Sequence, residues 1–197
     1  MLPVLECDPE RARERLESAG VDVRSGNTDH ELWRASHAGA TAVAYEGKVV
    51  VQGDRPARLT GLLEGGDGRA HLYFDGGSRG NPGPAAVGWV LVTSDGIVAE
   101  GADRIGRATN NRAEYEALIR GLEAAADYGF SELEVRGDSQ LVIRQVRGAW
   151  DTNDPDLREK RLRARELLAA FDEWSIDHVP REINSRADEL VNEALDD

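Results

Sequence analysis

Lysine is almost missing from the 197 residues: Lys48 and Lys160 are the only two. With 24 Lys and Arg against 37 Asp and Glu, the formal charge is −13. A nucleic-acid-binding protein normally gains affinity by setting Lys and Arg against phosphates, and a chain this acidic repels a polyanion at long range. Cys7 is the single cysteine, which excludes a disulfide framework within the chain. No apolar run is long enough to cross a bilayer, so no membrane partner is expected. The start, MLPVLECDPERARERLE, lacks the basic-then-apolar pattern of a secretion signal, and a reducing cytoplasm is the expected compartment. The acid excess itself has two readings. One is a soluble protein with no nucleic-acid partner. The other is a halophilic protein of a salt-rich cytoplasm, where the Debye length falls to about 3 Å at 1 M and long-range repulsion is screened.

The composition suits one or two small globular domains. The stretch EGGDG at 64–68 has no apolar residue and divides the chain. A small α+β N-terminal domain is expected over 1–63 and a second domain over 69–197. In the first, Asp8 and Pro9 open a helix that Gly20 can end, with Ala12, Leu16 and Ala19 on one stripe. Strands are expected near 32–35, over 41–45 and over 48–52, the last two joined at Glu46 and Gly47. Asp54 and Pro56 open a short helix through Leu63.

Beyond residue 69 strands and helices alternate. The pattern predicts strands over 70–75, 85–92 and 97–104, the last two an antiparallel hairpin turning at Ser94, Asp95 and Gly96. A helix follows over 111–128, a strand over 132–136, helices over 139–147 and 155–172, a strand over 174–179 and a helix over 185–195. Three consecutive strands followed by alternating elements imply a mixed α/β sheet with helices on its faces.

Four acids occupy positions that solubility does not explain. Asp75 ends an apolar strand and runs into a glycine-rich loop. Glu114 heads the apolar stripe of Leu118, Gly121 and Ala125. Asp138 follows the strand of Leu133 and Val135, where it could also cap a helix. Asp188 shares a stripe with Val191 and Leu195. A carboxylate facing a core is normally paired or bound to a metal. Hard divalent cations take such oxygen ligands, and two of them side by side can drive phosphoryl transfer.

The runs YFDGGSRGNPGP (73–84), TNNRAEY (109–115), GDSQLV (137–142) and VPREINSRAD (179–188) resemble the type 1 ribonuclease H family in order and spacing. The resemblance implies a five-stranded mixed sheet with helices on both faces. It implies that Asp75, Glu114, Asp138 and Asp188 are the catalytic residues and hold two Mg²⁺ or Mn²⁺ ions. The implied reaction is hydrolysis of the RNA strand of RNA–DNA hybrids, leaving 5′-phosphate and 3′-hydroxyl ends. It further implies that Ser78, Asn81, Asn110, Asn111 and Gln140 contact the nucleic acid, in part through 2′-hydroxyls. Asn110 or Asn111 is also expected to cap its helix.

Two departures from the family stand out. A mobile histidine often precedes the last aspartate, but His178 falls in a run that reads as strand, so a structural role competes with a catalytic one. Arg181 and Glu182 are alternative helpers. The lysine-rich segment with which bacterial members grip DNA is replaced by the short acidic stretch GAWDTNDPD at 148–156. In the first domain, 42–53 resembles the strand–turn–strand of the TATA-binding-protein-like domain that opens type 3 ribonucleases H, which implies hybrid binding through a sheet surface. A stabilising appendage or a protein-docking module is the other reading. Competing functions for the whole are a non-catalytic nucleic-acid-binding module on the same fold and a transposase-like nuclease. A monomer is expected.

Overall fold

The computed structural model describes residues 4–37, 39–53, 56–64, 68–94 and 96–196. Expectations that fall on Asp54, on Gly65, Gly66 and Asp67, and on Asp95 lie outside those residues. The contacts form two compact units, Met1–Gly68 with Asp127–Phe130, and Arg69–Ala126 with Ser131–Asp197.

The first unit runs β1 (Val4–Glu6), α1 (Pro9–Ser18), β2 (Val23–Ser25), β3 (Trp33–His37), β4 (Ala40–Tyr45), β5 (Lys48–Gly53) and α2 (Pro56–Glu64). Its sheet has the order β1-β5-β4-β3-β2 with every pair antiparallel. Asp8 caps α1 by accepting from Glu10 N at 2.9 Å, as its residue type foretells. Gly47 turns the β4–β5 hairpin at φ +73°. Alternation along the strands sends Trp33, Ala35, Ala42, Ala44, Val49 and Val51 to one side, where they bury with Leu16, Leu59 and Leu63 of the helices. The Trp33 indole donates to Pro9 O at 2.9 Å. β1 and β2 had no counterpart among the expected strands. At three residues each they are too short to display an alternation.

The second unit begins with a meander, β6 (Arg69–Ser78), β7 (Gly83–Thr93) and β8 (Gly96–Ala108). α3 (Asn110–Tyr128) leads to β9 (Glu132–Gly137), then α4 (Gln140–Arg147), α5 (Pro155–Leu168) and β10 (Glu173–His178). A 3₁₀ turn, Arg181–Asn184, feeds α6 (Ser185–Asp196). The sheet order is β10-β9-β6-β7-β8, antiparallel across β6–β7–β8 and parallel across β6–β9–β10. This is the expected five-stranded mixed sheet.

Helices cover both faces. Leu72 meets α3 at Gly121, where an added Cβ would stand 2.6 Å from the leucine. On the other face, Val90 packs with Ala187 and Leu190 of α6, and Tyr73 lies against them. The far end of α6 is gripped by arginines: Arg104 Nε donates to Ala194 O at 2.7 Å, Arg79 Nη1 to Leu195 O at 3.2 Å, and Arg79 pairs with Asp196. α5 stops at Leu168, short of the expected 172. There Phe171 is buried and Asp172 N donates to Ser131 O at 2.8 Å, which draws the chain off the helix towards β9.

Candidate active site

The site is assembled in the second half of β6, at the end of β9 and near the starts of α3 and α6; β6 runs on through Asp75 to Ser78, past the end expected at 75. Asp75 sits opposite Gly88 of β7 in the antiparallel register. A Cβ on Gly88 would lie 2.7 Å from Ala187 O, so the bare residue lets α6 settle over the strands. Gly76 does the same for α3. Its Cβ would come within 2.2 Å of Ala113 C and 2.3 Å of Glu114 N, and its own N donates to Glu114 Oε2 at 3.2 Å. Two glycines beside Asp75 thus admit a helix to each face of the sheet, and these helices carry Glu114 and Asp188.

Asp138 follows β9 directly. The cap of α4 is the next residue, Ser139, which accepts from Val142 N at 3.4 Å. That corrects the alternative in which Asp138 serves as the cap and leaves its carboxylate for other work. Ligand oxygens of Asp75, Glu114 and Asp138 all lie within 4.8 Å of one another.

Such crowding has an electrostatic signature. Burial first, then Asp138 and Asp188, raise the Asp75 carboxyl from 3.8 to about 7, against a smaller lowering by Arg181. Glu114 is raised well above its ordinary value, by burial first and then by Asp75 and Asp138. Both side chains belong to residues only 7% exposed. Like charges in a low-dielectric pocket resist ionisation unless a cation joins them. An all-oxygen donor set of this kind fits a hard divalent cation.

The structure therefore brings three of the four expected acids together. Asp188, in the first turn of α6, is near enough to raise Asp75 but accepts a bond from Arg181 Nη2. Asn192 Nδ2 also donates to its Oδ2 at 3.1 Å. Arg181, one of the two alternative helpers to His178, lies at the acids, seven residues before Asp188 in sequence.

Three of the polar residues expected at a nucleic-acid surface form one small network. Asn110 Oδ1 accepts from Ser78 N at 3.0 Å and from Ser78 Oγ at 3.4 Å, while Asn81 Oδ1 accepts from Asn110 N at 3.1 Å. The cap of α3 is Thr109, whose Oγ1 accepts from Arg112 N at 3.3 Å. The expectation that an asparagine caps this helix is corrected accordingly, because Asn110 turns its side chain to Ser78. Asn111 and Gln140 are exposed in the first turns of α3 and α4. His178 is an exposed strand residue, in register with Gly137. Sequence reasoning passed over Gly88 and Asn184. Gly88 stood in an apolar strand where nothing marked it, and Asn184 was hidden in a loop-like run.

The fold and the acid cluster together define a ribonuclease H-like protein. Residues 73–194 match the family model described as reverse transcriptase-like. Ribonuclease HI of Halobacterium salinarum is 65% identical over 198 residues, covering all of both chains. A bifunctional protein of Mycobacterium tuberculosis is 47% identical over 127 residues, 64% of this chain and 35% of that protein. The crystal structure of the H. salinarum ribonuclease H1 matches with 75% identity and a TM-score of 0.64, over 65% of this chain and 98% of that one. A crystal structure of LC11 ribonuclease H1 in complex with an RNA/DNA hybrid matches with 44% identity and a TM-score of 0.61, over 64% of this chain and 96% of that one. The chain belongs to the type 1 ribonuclease H family.

Proposed function

We propose that this enzyme hydrolyses the RNA strand of RNA–DNA hybrids, leaving 5′-phosphate and 3′-hydroxyl ends. In this reading Asp75, Glu114, Asp138 and Asp188 are the catalytic residues and hold two divalent cations, Mg²⁺ or Mn²⁺. The observation that carries it is the knot of three carboxylates, two of them buried, within 4.8 Å of one another. Divalent cations bound there would activate water and neutralise charge developing on the phosphate. The residues themselves have distinct tasks. Glu114, tied to Gly76 N, is the fixed wall of the cluster. Asp75, within β6, and Asp138, just past β9, bring carboxylates from neighbouring parallel strands. Asp188 is partly exposed and is held by Arg181 and Asn192 at the open side of the cluster.

Ser78, Asn81 and Asn110 are already ordered by their mutual hydrogen bonds. Such a network offers amide and hydroxyl groups to sugar and base edges without sequence preference, and Asn111 and Gln140 extend it. Contacts to consecutive 2′-hydroxyls would select the RNA strand. The hybrid bound by the LC11 relative supports this choice of substrate. For the first unit we infer a supporting role in hybrid binding through a surface of its antiparallel sheet. We also infer a halophilic, cytoplasmic monomer, which sedimentation in concentrated salt and cell fractionation would check.

The test is cleavage of end-labelled hybrid, single-stranded RNA and DNA duplex with Mg²⁺ or Mn²⁺. Hybrid-only, metal-dependent cutting is expected, with Asp75→Asn and Asp188→Asn reduced by about a hundredfold or more. Unchanged cutting by both variants would refute the assignment. A chain beginning at Arg69 is expected to cut with a higher KM for hybrid than the full chain.

A further inference from the structure

We propose that Asn184 is a positioning residue for the acid cluster: its side-chain amide ties the start of α6, and with it Asp188, to β6 at Phe74, and with it Asp75. Asn184 closes the 3₁₀ turn before α6 and is 1% exposed. Its Nδ2 donates to Phe74 O at 2.9 Å, across 110 residues of sequence. Phe74 precedes Asp75. It is also the last rung of the parallel ladder between β6 and β9, in register with Gly137, which precedes Asp138. One amide therefore bonds where the ladder between β6 and β9 ends, one residue before each of Asp75 and Asp138, and hands the chain on to the helix that carries the fourth acid.

A second observation separates this from ordinary packing. Asn184 Oδ1 is buried with no hydrogen-bond partner among the described residues. A buried acceptor without a donor lowers stability. The donor half of the amide is what this position keeps. The fit above it leaves little slack: a Cβ on Gly77 would lie 3.1 Å from Val191 Cγ1, and one on Gly88 3.0 Å from Leu190 Cβ. Losing the amide would leave α6 packed but its first turn unregistered against Asp75.

The inference rests on the cation reading above. It is tested on the full chain with Asn184→Leu, close in volume, and Asn184→Ala. Mg²⁺ affinity is measured by titration calorimetry, hybrid cleavage by steady-state kinetics and stability by thermal unfolding. The Mg²⁺ dissociation constant is expected to rise about ten- to a hundredfold, the range for residues that orient metal ligands. kcat should fall in parallel, while KM for hybrid stays within about twofold and each variant melts close to the parent. Parental Mg²⁺ affinity and kcat in whichever variant folds would overturn the proposal. So would losses that merely track the melting temperature, with KM rising as kcat falls. A parent chain that binds no Mg²⁺ removes the cation reading and this inference together. A parent that binds it beside variants that bind equally well removes only the role of Asn184.

Discussion

Asp75 illustrates a side chain that costs stability where it stands. Its carboxyl is raised from 3.8 to about 7 by burial and by Asp138 and Asp188. Below its unfolded-state value the group is neutral in both states and contributes nothing. As pH rises through the interval up to about 7, the unfolded chain ionises first and stability is lost. The loss is complete above the folded value. Glu114 acts in the same direction. Without divalent cations, urea unfolding of the parent should give lower stability at pH 8 than at pH 5.5 relative to Asp75→Asn. That variant should gain ~2 kcal/mol at pH 8 while losing metal-dependent cleavage. Added Mg²⁺ should erase the parent's deficit and leave the variant almost unmoved. A variant that is less stable than the parent at pH 8 without cations would contradict this account. Elsewhere in the same unit, Gln145 is buried between Tyr115 OH, which donates to its Oε1 at 2.9 Å, and Asp151 O, which accepts from its Nε2 at 3.0 Å. Gln145→Leu strands both partners and should cost about 1–3 kcal/mol in denaturant unfolding.

Among the elements, the glycines decide how closely helices approach the sheet. Gly88→Ala would force a Cβ to within 2.7 Å of Ala187 O and should push α6 outward. A destabilisation of about 1–3 kcal/mol is expected, with a larger drop in cleavage than the loss of folded protein explains. Calorimetry and kinetics on the same preparation would separate the two. Much of the architecture was legible beforehand because each element carries its own periodicity. Leu72 and Phe74 alternate with Tyr73 and Asp75, and Leu118, Gly121 and Ala125 line one stripe of α3. The acids drew notice because Glu114 and Asp188 lie near the starts of α3 and α6, Asp138 follows β9, and Asp75 meets the glycines of β6. What escaped has physical causes. β1 and β2 exist through their neighbours, pairing with β5 and β3 over three residues each. Arg181 was named as a helper, but its pairing with Asp188 was not, because it comes from a 3₁₀ turn where helical spacing rules do not apply. The caps of α3 and α4 moved by one residue, to Thr109 and Ser139, because the amide and carboxylate beside them are engaged elsewhere.

For the whole molecule, the charge of −13 sets the terms. Many arginines are committed to local pairs, such as Arg186 with Glu100, Glu189 and Glu193, and Arg163 with Glu123 and Glu166. Exposed pairs of this kind contribute little each, and the surplus acids repel one another. Raising KCl from 0.1 to about 2 M should therefore increase the melting temperature, through screening over a Debye length that shrinks from about 10 Å to under 3 Å. Hybrid binding should weaken less with salt than for a lysine-rich enzyme, since few counterions are released. A steep fall in affinity with salt would show a basic grip that the sequence does not display.

The grip of Arg79 and Arg104 on Ala194, Leu195 and Asp196 has a practical side. These last helical carbonyls are handholds, and Arg79 lies between Ser78 and Asn81. A purification handle fused behind Asp197 would crowd the same arginines and disturb the hydrogen bonds among Ser78, Asn81 and Asn110 at a distance. Any such fusion belongs ahead of β1 instead.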